Sequence, residues 1–175
     1  NRHGFMARFK EECRRCERAR SVGALLFFDL NKFKALNDEH GHEAGDHLLQ
    51  EVARRIRSSL RATDAVARIG GDEFVALMSP AGNSIDDAFA QASATVGTIR
   101  ERLSEEYVLQ LNRGTIRYEC SSSIGVATYD WCSDREAVLR QADHSMYEDK
   151  RTLDAVIPDP AYSPSPATHL HLPNA

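Results

Sequence analysis

The segment Gly70-Gly71-Asp72-Glu73-Phe74 lies between two short apolar runs, residues 66–69 and 74–78, and constrains the fold more than any other stretch. Paired glycines between apolar runs predict a β-hairpin with a two-residue turn, because such turns require positive φ angles that glycine adopts without strain. Two carboxylates follow the turn directly. Acids at a tight hairpin tip are poorly placed for a core. They suit either a solvated turn or a site for a metal ion or a phosphate-bearing ligand.

Composition limits the classes of protein to consider. The chain has 175 residues, of which 42% are hydrophobic, and this suits one globular domain with a substantial core. Its net charge of -4 provides no global basic field, so we predict no nucleic-acid partner. The apolar runs are too short to span a bilayer and no signal peptide is visible, so we predict no membrane segment here.

The four cysteines are expected to be reduced thiols, as in cytosolic proteins. Cys13 and Cys16 have C-x-x-C spacing, but they lie on a helical pattern and no second pair completes a zinc site. The histidines around His42 also resemble a metal cluster, although their irregular spacing favours a structural role. A zinc-binding structural module is therefore a remote alternative.

Hydrophobic periodicity alternates between helical and strand patterns. Helices are predicted at 3–20, 33–37, 43–60, after Ser84 to about 103, and 133–151; strands are predicted at 24–28, 107–111, 115–120 and 122–128, with a hairpin at 65–79. Strand hairpins mixed with helices predict an α+β fold with a largely antiparallel sheet. Five of the six prolines lie beyond residue 157, so we predict one domain over 1–156 and a disordered Pro-rich tail or linker over 157–175.

Three of the predicted helices have an assigned inner face. The last helix, over 133–151, is predicted to bury Val138, Leu139, Ala142 and Met146. The helix capped by Ser84 is predicted to bury Ile85, Phe89, Ala92, Val96, Ile99 and Leu103. The helix over 43–60 is predicted to bury its leucine-rich face and to turn an arginine-rich face away from the core, with Arg54, Arg55, Arg57 and Arg61.

Asp29 directly follows the apolar run 24–28. A carboxylate at the end of a buried strand is costly unless it is paired or metal-bound, and the alternative is a cap for the helix that begins near Asn31. If the 65–79 hairpin pairs beside this strand, Asp29, Asp72 and Glu73 converge. Such a cluster repels itself without a divalent cation, and hard oxygen ligands select magnesium or manganese. Two-metal phosphoryl transfer uses an arrangement of this kind.

Four polar residues add a possible nucleotide site. Asn37 and Asp46 carry the donor and acceptor types that are needed to read a purine edge. Lys34 and Lys150 are candidate cations for a triphosphate, although most lysines are simply exposed surface charges.

Several motifs occur in one order along residues 1–151. They are Asp29-Leu30-Asn31-Lys32-Phe33-Lys34, Asn37-Asp38, Gly41-His42, Gly45-Asp46, Arg61-Ala62-Thr63-Asp64, Arg68-Ile69-Gly70-Gly71-Asp72-Glu73-Phe74, Ser123-Ile124-Gly125-Val126-Ala127, and Ala142-Asp143 followed by Tyr147 and Lys150. Together they resemble the GGDEF family of diguanylate cyclases. Asn1-Arg2 and Phe5 resemble the tail of the family's opening motif, which predicts a domain taken from a larger protein.

The resemblance implies a fold close to the adenylyl cyclase and polymerase palm, with a ferredoxin-like core and a central five-stranded sheet. It also implies a nucleotidyl transfer in which two GTP become cyclic di-GMP and two pyrophosphates. By the resemblance, Asp29, Asp72 and the Leu30 carbonyl hold magnesium or manganese. Asp72 and Glu73 are the implied catalytic acids, and which of them assists deprotonation of the ribose 3′-hydroxyl stays open.

The resemblance also implies the substrate-binding residues. They are Phe33, Lys34, Asn37, Asp46, Gly70, Gly71 and Lys150. In this assignment Asn37 and Asp46 read guanine, and the lysines neutralise the triphosphate. The two glycines let the backbone approach the phosphates closely.

One site holds one GTP, so the implied reaction requires a homodimer, with dimerisation expected from fused sensory or effector domains. Arg61 and Asp64 match the family's R-x-x-D inhibitory site, at which cyclic di-GMP restrains activity, since arginine forks bind phosphates and guanine edges bidentately. The alternative for this pair is an exposed ion pair at a helix end. We expect this domain to lie in the cytoplasm of a bacterium. This expectation also holds if a membrane anchors the parent protein.

Two departures from the family pattern stand out. Asn31 replaces a common aspartate, and Lys150 is followed by Arg151-Thr152-Leu153-Asp154 rather than by a short Gly-Arg-Asn segment whose arginine contacts phosphate. Two hypotheses follow. One is an active, product-inhibited diguanylate cyclase. The other is a catalytically weak GGDEF module that binds GTP or cyclic di-GMP and regulates an attached domain.

Overall fold

The computed structural model describes residues 2–156, and the predicted tail at 157–175 lies outside this range. The helices are α1 (Arg2–Ala19), α2 (Phe33–His40), α3 (His42–Ser58), α4 (Ile85–Ser104) and α5 (Arg135–Val156). The strands are β1 (Val22–Leu30), β2 (Ala65–Arg68), β3 (Glu73–Gly82), β4 (Tyr107–Leu111), β5 (Gly114–Tyr118) and β6 (Ser122–Tyr129). None of the helices within residues 2–156 is long and apolar enough to cross a membrane.

A four-stranded sheet in the order β2-β3-β1-β6 forms the centre, and its neighbouring strands are all antiparallel. The predicted α+β fold with an antiparallel sheet flanked by helices is confirmed. The expected count of five strands is wrong, because β4 and β5 pair only with each other in a second sheet. The outer edge of β6 is already occupied: the Ile124 N–H donates to Asp149 (2.8 Å) and the Val126 N–H donates to Ser145 (3.2 Å).

Side chains alternate between the two faces of β1, as strand geometry requires. Leu25 and Phe27 share a core cluster with α1 and α5, whereas Leu26 and Phe28 share one with α3 and α4. By the same alternation, Asp29 belongs to the face that α1 and α5 cover.

The predicted two-residue Gly70-Gly71 turn is wrong. Neither glycine has a positive φ angle, and the Ile69 N–H donates to the Glu73 carbonyl (3.0 Å), so the turn extends over residues 70–72. Gly70 has a different role. A Cβ at this position would lie 2.1 Å from Oε2 of Glu73, so the missing side chain leaves room for the Glu73 carboxylate.

The inner face predicted for α4 is partly wrong. Ile85 and Phe89 are 63% and 52% exposed, while Ala88 is fully buried in their place. The backbone of α4 approaches β3 very closely here, since a Cβ on Gly82 would lie 2.5 Å from the Ala88 nitrogen. Only a small side chain fits at that contact, so the helix turns its alanine face inward and its large residues outward.

Arg55, which periodicity assigned to the face away from the core, is buried instead. Its guanidinium donates hydrogen bonds to the carbonyls of Arg102 (2.8 Å), Glu105 (2.6 Å) and Glu106 (2.8 Å). It also lies 3.7 Å from the centre of the Tyr107 ring, within the range of a cation–π contact. One side chain thus satisfies the carbonyls at the end of α4 and ties α3 to β4.

Helix α5 packs so closely on β6 that the backbones of the two elements are in contact. Its predicted inner residues, Val138, Leu139, Ala142 and Met146, are all buried. A Cβ on Gly125 in β6 would lie 2.0 Å from the Ala142 carbonyl oxygen and 2.2 Å from the Met146 nitrogen. This contact places the end of α5 beside the end of the central sheet.

We expect Gly125→Ala to destabilise the domain by about 3 kcal/mol, because rigid backbone atoms of α5 would have to move. The matched control is Gly97→Ala, at an exposed position inside α4 with nothing within 4 Å of the added methyl group. That variant should gain roughly 0.5–1 kcal/mol, since alanine favours a helix interior. Urea unfolding measures both, and equal effects of the two substitutions would contradict the packing described.

Candidate active site

The pairing of β1 with β3 places Asp29 directly opposite Glu73. Residues opposite each other in an antiparallel pair point to the same face of the sheet. Asp72 precedes Glu73 in the turn that leads into β3. The condition for the carboxylates to converge, that the hairpin pairs beside the first strand, is therefore met.

The carboxylates at this edge repel one another. Burial raises the pKa of Asp72, and the charge of Asp29 raises it further. Burial likewise raises the pKa of Glu73, with additional contributions from Asp29, Asp72 and Asp143. The end of the sheet that carries Asp29, Asp72 and Glu73 therefore lacks enough positive charge to balance these acids.

Lys150, in the second half of α5, supplies one cation to this edge. Its Nζ donates to Oδ2 of Asp29 in an ion pair whose carboxylate is only 13% exposed. The charge of Lys150 also lowers the pKa of Asp72, although burial and Asp29 outweigh this effect. The last helix thus provides a counter-charge at the place where two strands present acids.

The three carboxylates do not converge as closely as predicted. Within residues 2–156, no group of three or more His, Cys, Asp and Glu side chains is placed to hold a metal ion, and this includes the cysteines and histidines considered above. Asp29 is turned towards Lys150, and Glu73 lies beside Gly70. Two carboxylates and a backbone carbonyl nevertheless fit magnesium, which usually takes one or two protein carboxylates plus substrate phosphates.

The candidate guanine-reading residues lie on α2 and α3, which pack on the opposite face of the sheet. Asn37 is half-buried and its Oδ1 atom accepts no hydrogen bond within the described part of the chain. A Cβ on Gly45 would lie 2.1 Å from this oxygen and 3.1 Å from the ring of Phe33, so Gly45 makes room for both. Asp46 and Lys34 are exposed.

The loop between β1 and α2 is held by residues that sequence reasoning did not select. Lys32 has a φ angle of 61°, which is unusual for a residue with a side chain, and its carbonyl accepts a hydrogen bond from the Tyr118 hydroxyl (3.3 Å). Asn31 donates to Ser121 (3.0 Å) and accepts from Ser123 (3.2 Å). These partners come from β5, β6 and the chain between them, and only Ser123 belongs to one of the motifs quoted above.

Arg61 and Asp64 form a closed turn. The Asp64 carboxylate is buried and accepts the Arg61 N–H (3.0 Å), while the Asp64 N–H donates to the Arg61 carbonyl (3.1 Å). Arg57 donates to the carbonyls of both residues. The carboxylate therefore has a structural task, whereas Arg61 is exposed.

The chain is similar to known proteins over most of its length. The family model for the diguanylate cyclase GGDEF domain matches residues 1–154. The bifunctional diguanylate cyclase/cyclic di-GMP phosphodiesterase MucR of Pseudomonas aeruginosa is 42% identical over 132 residues, which cover 73% of this chain and 17% of MucR. The chain spans less than half the length of the curated relatives it matches first.

Solved structures show the same fold. The crystal structure of the GGDEF domain of TpbB from Pseudomonas aeruginosa has a TM-score of 0.75 at 37% identity, covering 87% of this chain and 90% of that domain. The GGDEF domain of DgcB from Caulobacter crescentus, solved in complex with c-di-GMP, also has a TM-score of 0.75, at 25% identity, covering 87% of this chain and 85% of that one.

We expect Asp29→Asn to lower the pKa values of both Asp72 and Glu73, because the substitution removes a negative charge that raises them. Asp143→Asn is the matched control: it should lower the pKa of Glu73 and change that of Asp72 much less, since Asp143 is among the charges that raise the pKa of Glu73 but not among the main causes at Asp72. NMR titration of the carboxyl carbons in magnesium-free buffer measures both.

The same shifts predict a pH dependence of stability. A raised pKa in the folded state means that the folded protein binds the proton more tightly than the unfolded chain does. The free energy of unfolding should therefore gain a contribution at low pH that is lost as the pH rises through the folded pKa values. Asp29→Asn should reduce this loss, and an unchanged pH profile would contradict the assigned repulsion.

Proposed function

The chain belongs to the GGDEF domain family of diguanylate cyclases, and we propose that it condenses two GTP into cyclic di-GMP with release of two pyrophosphates. The observation that supports this most directly is the pairing of β1 with β3, which gathers acids from two segments at one edge of the sheet. The raised pKa values of Asp72 and Glu73 are those of acids that lack a cation partner. Family membership supplies the reaction.

We propose that Asp29, Asp72 and the Leu30 carbonyl hold magnesium, which would neutralise charge on the phosphates. The ion would supply the cation that this edge of the protein lacks. Glu73 lies opposite Asp29 and beside Asp72, within the same repulsive group. Asp72 and Glu73 are the two candidates for assisting deprotonation of the ribose 3′-hydroxyl.

In this proposal the nucleotide crosses the end of the sheet. Its guanine contacts Asn37 and Asp46 on one face, which would provide the hydrogen-bond donor that Oδ1 of Asn37 lacks among the described residues. Its phosphates lie over the β1–α2 loop and the turn at 70–72, where Gly70 and the exposed Gly71 present backbone without side chains. Lys34 and Lys150 add positive charge from either side. Phosphoryl transfer of this kind depends on positioning and charge stabilisation.

One such site holds one nucleotide, so the reaction requires a second copy of the domain facing the first. Each copy would present the 3′-hydroxyl of its GTP to the α-phosphate held by the other. We propose that domains fused to this one in the whole protein bring the two copies together and supply the regulatory signal. Use of GTP is consistent with a location in the bacterial cytoplasm.

A second candidate function is a weakly catalytic module that binds GTP or cyclic di-GMP and regulates an attached domain. Arg151 favours it, because this residue forms an exposed ion pair with Glu148 on the same helix (3.2 Å). Its guanidinium is thus already paired at the helix surface. A forcibly dimerised protein that binds GTP with magnesium but forms no cyclic di-GMP would establish this second function.

We expect Asp72→Ala, in the forcibly dimerised protein, to reduce cyclic di-GMP formation from magnesium and GTP by about 100-fold or more, because it removes both a metal ligand and a catalytic acid. Asp86→Asn is the matched control, since Asp86 is an exposed acid at the start of α4. Chromatographic detection of the product measures both. Full activity of Asp72→Ala would refute the residue assignment.

We propose that cyclic di-GMP binds at Arg61 and Asp64 and restrains the reaction. Arg61→Ala should weaken binding of cyclic di-GMP by about tenfold or more, because the exposed guanidinium is the bidentate donor of this turn. Calorimetric titration measures the affinity. Arg61 is the appropriate position, because Asp64 stabilises the turn and its replacement would disturb the fold. Arg113→Ala, at another exposed arginine, should leave binding unchanged.

A further inference from the structure

We propose that Arg100 and Asp149 are positioning residues that fix the end of α5 so that Lys150 reaches the Asp29 edge of the sheet. What Lys150 binds there in the reaction rests on the proposed function. How Lys150 is held does not, because it is a property of the protein without nucleotide. Neither Arg100 nor Asp149 belongs to the residues assigned to metal, substrate or product above.

Asp149 is the point at which three elements meet. Its carboxylate accepts two hydrogen bonds from Nη2 of Arg100 on α4 (3.0 and 3.1 Å) and one from the Ile124 N–H on β6 (2.8 Å). Arg100 also donates through Nη1 to the Ser122 carbonyl on β6 (3.3 Å). The pair therefore ties α5 to both α4 and the outer edge of β6.

The strand register connects this clamp to the candidate site. Ile124, which Asp149 binds, lies opposite Phe28 on β1. Lys150 follows Asp149 in the helix and binds Asp29, the residue after Phe28. Two consecutive residues of α5 thus bind at two consecutive positions along the paired strands β6 and β1. If the end of α5 moved along or around its axis, both interactions would be lost together.

The clamp is not a routine surface ion pair. The side chains of Arg100 and Asp149 are 32% and 26% exposed, so solvent screens them less than the open pairs on the same helix. Upstream, the Gly125 contact and the Ser145 hydrogen bond hold the middle of α5. Beyond them, Asp149 provides a backbone anchor immediately before Lys150.

The first test uses the full chain without nucleotide. A zero-length carbodiimide joins a lysine amine to a carboxylate only when the two are in contact, so it reports the Lys150–Asp29 pair by mass spectrometry. We expect Asp149→Ala and Arg100→Met to lower the yield of this cross-link several-fold. Glu148→Ala is the matched control: it removes the exposed ion pair one residue away and should leave the yield unchanged.

The second test measures binding of α,β-methylene GTP with magnesium by calorimetry. Asp149→Ala should weaken binding by about tenfold, the effect of one charged hydrogen bond. In a Lys150→Met background the same substitution should have almost no further effect, because Asp149 acts through Lys150. A purely structural role would give equal losses in both backgrounds. Melting temperatures confirm folding, and Asp149→Asn, which keeps the acceptor for Ile124, replaces Asp149→Ala if that variant is unfolded.

The outcomes separate the two proposals. A Lys150–Asp29 cross-link that persists at the parent yield in Asp149→Ala and Arg100→Met overturns the positioning role. Equal losses of affinity with and without Lys150 overturn it as well. If the cross-link depends on Asp149 but the parent protein binds no GTP analogue, the positioning role stands and the proposed function fails.

Discussion

The antiparallel pairing of β1 with β3 is the interaction on which the rest of the structure depends. It sets the order of the central sheet and brings Asp29 opposite Glu73. A shift of one residue in this register would move every side chain of β1 to the other face. The buried run on β1 prevents such a shift, because Leu25 and Phe27 fill one core while Leu26 and Phe28 fill the other. The hydrophobic core thus specifies the position of the acids.

The concentration of acids at one edge explains the charges around it. Asp29 raises the pKa values of Asp72 and Glu73, Asp72 also raises that of Glu73, and Lys150 offsets only part of this effect at Asp72. A site that is short of positive charge is well suited to a magnesium–nucleotide complex, which carries its own cation to the acids. The repulsion among these carboxylates therefore affects both the stability of the protein and its proposed binding of magnesium.

Close packing of α5 against β6 brings this helix beside the strand ends that carry the acids. Gly125 allows the helix backbone to touch the strand, and Asp149 then fixes the helix end to the strand edge. Side chains of α5 accept hydrogen bonds from two backbone N–H groups on the outer edge of β6, and β5 pairs with β4 rather than with β6. The contacts of α5 along the outer strand β6 thus bring Lys150 to the end of the central strand β1 that carries Asp29.

The amino-acid sequence by itself determined the family, the alternation of helices and strands, the burial of β1 and the candidate acids, because apolar periodicity and ordered motifs are local properties of the chain. Only the tertiary structure decided the turn at 70–72, the separate β4–β5 sheet, the burial of Arg55 and the exposure of Phe89. Each of these depends on the distance to a neighbouring element. Periodicity tells which residues share a face, but not how closely that face approaches the next backbone.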